Sequence, residues 1–211
     1  MTRLIVWRHG NTEWNAAGRV QGQTDVPLND RGRDQARAAA PLLAALRPDA
    51  IVSSDLTRAA DTAAALAALT GLPVRADARL RERCFGRWQG LLLSELAEHH
   101  PDGYARWRAA DPDPDPGAEV ESLDDLGARV GAALREAADA VPGGTIVVAT
   151  HGAAARQGCG HLLGWDHVVL RAMGSLQNCH WSELRRNDLR GWHLRAHNVG
   201  SVNATVPAEA V

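Results

Sequence analysis

The chain has 211 residues, 45% hydrophobic and 23% charged, the balance of one soluble globular domain able to bury a core without disulfides or a structural metal. A net charge of −2 gives no basic field to draw nucleic acid or an anionic membrane, and no apolar run of about 20 residues or charged-then-apolar leader appears, so a cytoplasmic protein is expected. All 23 basic residues are arginines, which excludes Schiff-base, pyridoxal-phosphate and Walker P-loop chemistry, and the three cysteines (Cys84, Cys159, Cys179) lack disulfide or zinc spacing.

The first predicted element is the β-branched run Leu4–Trp7, which ends at Arg8-His9-Gly10 and reads as a strand buried on both faces. A polar loop leads to Asn29-Asp30, which introduces a helix to about Leu46 that Pro41 should kink or end. Ala50–Ser53 is the second strand. Ser54-Asp55 should cap the alanine-rich helix Leu56–Thr70, stopped by Gly71 and Pro73. Val74–Ala76 is a third strand, followed by Arg81-Glu82-Arg83. Leu92–Ala109 looks helical but broken at Pro101 and Gly103, and Asp111–Gly117, alternating Asp and Pro, reads as a stiff acidic surface loop. Ser122 opens a helix to about Ala140 with Leu123, Leu126, Val130 and Leu134 at helical spacing. Thr145–Thr150 is the clearest strand, ending at His151-Gly152. A helix over Ala153–Leu163 follows, then a hairpin of Cys179–Leu184 and Trp192–His197 turning near Asn187-Asp188. Alternating strands and helices with a late antiparallel pair predict an α/β class fold: a three-layer α/β/α sandwich on a mostly parallel mixed sheet, in a single domain 1–211. Residues around 90–120 form a lid-like helical and acidic proline-rich insertion in that domain.

Two strands thus deliver His-Gly at their carboxyl ends, where open parallel sheets bind ligands. If they are neighbours, His9 and His151 converge. Either histidine alone reads as an ordinary strand-end residue; the matched pair beside Arg8 reads as a site. Arg58, in the first turn after the second strand, faces the same edge, where helix N–H groups and the dipole would add to its pull on an anion. Two guanidinium groups and two imidazoles describe a pocket for phosphate or sulfate. Glu82 is the candidate acid for a leaving oxygen; spacing alone reads it equally well as a solvated partner of Arg81 and Arg83.

Arg8-His9-Gly10-Asn11-Thr12-Glu13-Trp14-Asn15 resembles the signature of the histidine phosphatase superfamily, the phosphoglycerate mutase-like fold. The resemblance extends, in family order, through Gln21–Leu28, Gly32-Arg33-x-Gln35-Ala36, Ser53–Arg58-Ala59-x-x-Thr62, Arg81-Glu82-x-x-Phe85-Gly86-x-Trp88-x-Gly90, Glu121-Ser122 and Thr150–Gly152. It implies a metal-independent, cofactor-free phosphomonoester hydrolase. His9 would be the nucleophile of a phosphohistidine intermediate, neutral and with its other nitrogen donating to a nearby carbonyl. Arg8, Arg58 and His151 would hold the phosphoryl oxygens, with Asn15 and Gln21 as neutral donors beside Gly22 and Gly152, and Glu82 would carry the proton. The lysine of the glycolytic mutases is Leu93 here, their tyrosine is Phe85, and their asparagine after the second His-Gly is Ala153. These changes favour hydrolysis over mutase chemistry; the alternatives are a phosphoglycerate mutase or a broad-specificity acid phosphatase. Within the superfamily the chain is most similar to the small phosphatases acting on glucosyl-3-phosphoglycerate; the tail Asn198–Val206 supports that branch, and Arg83 or Arg87 would meet the glycerate carboxylate. The implied partner is a small phosphate ester, with no nucleic acid and no membrane, and a homodimer is expected.

Overall fold

The computed structural model describes residues 1–187 and 189–200. Asp188 of the expected hairpin turn and residues 201–206 of the tail lie outside the described residues.

The chain starts with β1 (Thr2–Arg8), then a short α1 (Glu13–Ala16) that the sequence reading left in a loop. Its ends are fixed by a reciprocal capping box between Thr12 and Asn15. α2 (Asp30–Ala44) is capped by the Asn29 side chain on Gly32 N–H. It runs through Pro41 instead of ending there. Proline forfeits one backbone bond, and burial of Ala39, Ala40 and Leu43 holds the last turn in place. β2 (Ala50–Ser53) leads to α3 (Thr57–Thr70), closed by Gly71 in the left-handed region at φ 72°. The expected Ser54-Asp55 cap is not made. Leu56 is the N-cap residue without a side-chain bond, and Asp25, from a distant loop, accepts the N–H and hydroxyl of Thr57 at 2.8 and 2.7 Å.

β3 (Val74–Ala76) is followed by two single 3-10 turns, then α4 (Leu93–His99) and α5 (Pro101–Arg108). The break falls at His100, before Pro101. Gly103 lies inside α5, where a Cβ would meet Asp115 at 2.8 Å and Trp88 at 2.9 Å. The acidic proline segment is anchored and not merely a surface loop: Asp115 accepts from Trp88 Nε1 at 3.1 Å and contacts His100 Nδ1 at 3.1 Å. Trp88, Leu96, Ala118 and Val120 form a small apolar cluster here. α6 (Leu123–Asp139), capped by Ser122, precedes β4 (Thr145–Thr150), α7 (Gly152–Leu163) and the short α8 (His167–Arg171). The hairpin β5 (Trp181–Asn187) and β6 (Gly191–Val199) ends the described chain.

The six strands form one sheet in the order β3-β2-β4-β1-β5-β6. β3, β2, β4 and β1 are parallel, and β5 and β6 add an antiparallel margin. Strand alternation sends Leu4, Val6, Val52, Ile146 and Val148 to a core against α6 and α7. Ile5, Trp7, Ile51, Val147 and Ala149 face the opposite core with α2 and α3. This is the three-layer sandwich expected. Its parallel strands bring the segments after β1, β2, β3 and β4 to one carboxyl edge.

Candidate active site

β1 and β4 are direct neighbours, with Arg8 in register with Thr150, so the next residues, His9 and His151, emerge side by side. Their ring centroids are 5.1 Å apart, and both side chains are buried. His9 Nδ1 donates to Gly10 O at 2.6 Å, which leaves Nε2 with its lone pair. The backbone behind it is built for close approach. A Cβ on Gly10 would lie 2.4 Å from Gly32 O, and one on Gly32 would lie 2.1 Å from Asn11 O. Gly10 N–H donates to Thr62 Oγ1 at 3.1 Å, and Asn178 Nδ2 donates to His9 O at 3.0 Å. His151 Nε2 lies 2.9 Å from Ser54 Oγ, whereas its buried Nδ1 has no partner.

Arg58, fully buried, donates to Thr24 O at 2.9 Å and Gly22 O at 2.7 Å, while its buried Nε has no partner. The expected pull of the α3 N-terminus on an anion needs correction, because Asp25 already occupies the Thr57 N–H. Gly22, at φ 53° and packed on Gln89, acts through its carbonyl on Arg58. Thr12 ties Asn15 and Gln21 together: its hydroxyl contacts Asn15 Oδ1 at 3.2 Å and Gln21 Oε1 at 2.9 Å. The one hydroxyl proton serves the shorter contact, to Gln21, while Asn15 Oδ1 accepts the Thr12 backbone N–H at 3.3 Å, leaving both NH2 ends as donors. Arg8 Nη1 donates to Leu176 O at 2.6 Å.

Glu82 is not a solvated partner of its neighbouring arginines. Arg81 pairs with Asp55 instead. The Glu82 carboxylate sits on the N-terminus of α7, where Oε1 accepts Ala154 N–H at 2.9 Å and its own neighbour Arg83 N–H at 2.9 Å, and Oε2 accepts Ala153 N–H at 3.2 Å. A Cβ on Gly152 would be 3.5 Å from Arg8 Nε and 3.8 Å from Glu82 Oε2, so this glycine leaves the space where those two groups meet. Arg129, which sequence reasoning missed, donates to the carbonyls of Arg79, Arg81 and Glu82 and to both Glu121 oxygens, holding the Glu82 loop. Nothing in the pattern of α6 distinguishes this arginine from a solvated one. Asn178 was likewise missed, since it sits in a polar stretch before the hairpin without an adjoining motif.

Burial, then the Arg58 and Arg8 charges, hold the His9 pKa well below its usual value against the bond to Gly10. Burial, Arg58, His9 and Arg8 do the same to His151. Burial brings Arg58 down to about 10, partly offset by Glu82, so it stays cationic at neutral pH. The site therefore combines neutral imidazoles with retained positive charge. Among the described residues, no group of three or more His, Cys, Asp or Glu is placed to hold a metal.

Beyond Arg8, Glu82 and Gly152 opens a cavity of about 720 Å3, its wall including Arg83, Phe85, Trp107, Arg156, Leu170 and Leu176. Arg83 donates to Glu121 O at 2.6 Å and Pro112 O at 3.1 Å, and its guanidinium lies 5.5 Å from the Phe85 ring centre. Arg87 instead turns to Gly117 O on the exposed side and is not part of that wall.

Residues 4–200 match the histidine phosphatase superfamily (branch 1). A glucosyl-3-phosphoglycerate phosphatase of Mycobacterium tuberculosis is 39% identical over 191 residues, 86% of this chain and 84% of that protein. A protein of the same name from Mycolicibacterium vanbaalenii is 52% identical over 106 residues, 50% of this chain and 47% of that one, so this alignment spans about half of each. Among solved structures, the mycobacterial glucosyl-3-phosphoglycerate phosphatase in complex with VO3 superposes with a TM-score of 0.87 at 36% identity, covering 95% of this chain and all (100%) of that one.

Proposed function

Because the chain belongs to the histidine phosphatase superfamily (branch 1), it is a phosphatase working through phosphohistidine, and we propose that it hydrolyses glucosyl-3-phosphoglycerate or a similar phosphorylated small molecule with His9 as nucleophile. The observation that carries the assignment of residues is the pair of buried, unpartnered donors, His151 Nδ1 and Arg58 Nε, beside a histidine whose Nδ1 is already bonded to a carbonyl. Orphaned buried donors are costly, and a phosphoryl group satisfies them.

In the first step the His9 Nε2 lone pair attacks phosphorus and the P–O ester bond breaks. Glu82 delivers a proton to the departing alkoxide. In the second step Glu82 takes a proton from water, the hydroxyl forms the new P–O bond, and the P–N bond breaks to free phosphate and His9. Arg8, Arg58 and His151 stabilise the charge spread over the equatorial oxygens, with the amide groups of Asn15 and Gln21 as further donors. Gly152 leaves room for the leaving oxygen between Arg8 and Glu82, and Arg83 borders the space for its carbon skeleton. The helical segment around 90–120, which contributes Trp107 to that space, acts as a lid within one domain.

The three free cysteines fit a reducing cytoplasm, and no helix of the described residues is long and apolar enough to cross a membrane. The outer edge of β6, at the margin of the sheet, is where a homodimer would form, and light scattering of the purified protein tests it. Phosphorus NMR with chelator present tests the reaction. Free phosphate from glucosyl-3-phosphoglycerate is the expected result, and interconversion of 3- and 2-phosphoglycerate would make the protein a mutase.

A further inference from the structure

Arg156 lies one helical turn beyond Gly152 on α7, on the same face and toward the same cavity. Side chains on a helix lean back toward its N-terminus, so the guanidinium returns toward Glu82. Its Nε is buried without a hydrogen-bond partner, and none of its nitrogens bonds or pairs with a described residue. Burial lowers its pKa, and the Glu82 charge alone works against that shift. The neighbouring cations are treated differently. Arg83 bonds two carbonyls and lies by the Phe85 ring, and Arg129 bonds Glu121 and three carbonyls. Only Nε is both sealed from solvent and unbonded; the two terminal nitrogens stay open to the cavity, where a ligand anion can engage them.

We infer that Arg156 binds a carboxylate on the leaving group of the substrate and so selects phosphate esters that carry one. The inference rests on the phosphatase reading above and deepens it. The phosphoryl group belongs beside His9, Arg58 and His151, and the ester oxygen must meet Glu82. Arg156 lines the cavity that Glu82 borders and that His9, Arg58 and His151 do not line, at a helical rise of about 6 Å from Gly152. A carboxylate about three bonds from the ester oxygen reaches it. The planar fork of arginine matches both carboxylate oxygens at once. In the same lining, Phe85, Trp107, Leu170 and Leu176 present apolar surface around a cavity of about 720 Å3, far more than a glycerate fills. That remainder suits a bulky uncharged group such as a hexose, with an aromatic ring to stack on its face.

The test compares 3-phosphoglycerate with glycerol 3-phosphate, which share a skeleton and differ in the carboxylate, alongside glucosyl-3-phosphoglycerate. In the wild type the carboxylated esters should be preferred. Arg156→Gln should lose about 30-fold or more in kcat/KM on both of them, mostly through KM, while glycerol 3-phosphate stays within about twofold. Inhibition by inorganic phosphate should be unchanged, and Arg156→Lys should recover part of the loss. Removing an unpaired buried cation should not lower Tm, so folding does not confound the comparison. Equal losses on all three esters, or no loss on the carboxylated pair, would overturn the inference while leaving a phosphatase. A wild type that hydrolyses glycerol 3-phosphate as well as the carboxylated esters would also overturn it. A wild type that releases phosphate from none of them would instead remove the reading on which it stands.

Discussion

Ser54 Oγ lies 2.9 Å from His151 Nε2 and on its other side accepts the backbone N–H of Leu56 at 3.3 Å. Leu56 takes one of its two lone pairs, and the hydroxyl proton, with no other acceptor among the described residues, is assigned to His151 Nε2 as the acceptor nitrogen. A neutral imidazole has one donor, so the proton of His151 resides on Nδ1. Ser54 therefore makes His151 a donor at the nitrogen that no protein atom satisfies. Ser54→Ala should lower kcat by about tenfold, with a smaller effect on KM, by releasing the other tautomer. Nitrogen-15 NMR of the imidazole decides the point: a wild type protonated at Nε2 would sink it.

His9→Ala removes the attacking nitrogen, and no labelled phosphoenzyme should be trapped in acid-free quench from any substrate. Turnover should fall by at least about 10^4-fold, since the phosphohistidine step is lost.

Glu82→Gln keeps the shape but carries no transferable proton. Hydrolysis of an alkyl phosphate should fall by about 100-fold or more, and that of p-nitrophenyl phosphate by less than about tenfold, because nitrophenolate leaves without a proton. Losses of equal size for both esters would show that Glu82 is not the proton donor.

The two depressed histidine pKa values fix a pH dependence of stability. Above pH about 6.5 both states are neutral at these positions and nothing changes with pH. Below it the unfolded chain takes up protons that the buried imidazoles refuse, so stability falls as pH drops, by about 1.4 kcal/mol per unit for each histidine. Urea unfolding between pH 6 and 5 should show this slope, and His151→Asn should flatten it relative to wild type. An unchanged slope in the variant would contradict the burial effect.

Gly32→Ala tests the backbone contact behind His9. The new Cβ would lie 2.1 Å from Asn11 O, and backbone on both sides cannot rotate away as a side chain would. A loss of about 2–3 kcal/mol, seen as a Tm lower by roughly 5–10 °C, is expected together with reduced turnover.

Much of this was legible in the sequence because strands and their glycine ends announce themselves locally. Leu4–Trp7 and Thr145–Thr150 are continuous apolar runs, and the His-Gly after each marks where the sheet edge opens. The neighbouring placement of β1 and β4 was a conditional inference that the register settles. What could not be read depends on groups brought from far away. The cap of α3 comes from Asp25, more than 30 residues upstream, instead of from adjacent Ser54 and Asp55. Glu82 looked equally like a surface ion-pair partner until the α7 N-terminus was found beneath it. Arg156 and Arg129 are each one arginine in an alanine-rich helix, and only the fold tells which has acceptors and which has none.

The central position of β1 has a consequence for how the molecule is made. Leu4 pairs with Ile146 on one side and Leu184 on the other, so β1 waits for partners made long after it. At ordinary elongation rates this wait is on the order of ten seconds. His9 is therefore brought beside His151 only after β4 has emerged. Pulsed amide exchange during refolding should accordingly find β1 protected no earlier than β4.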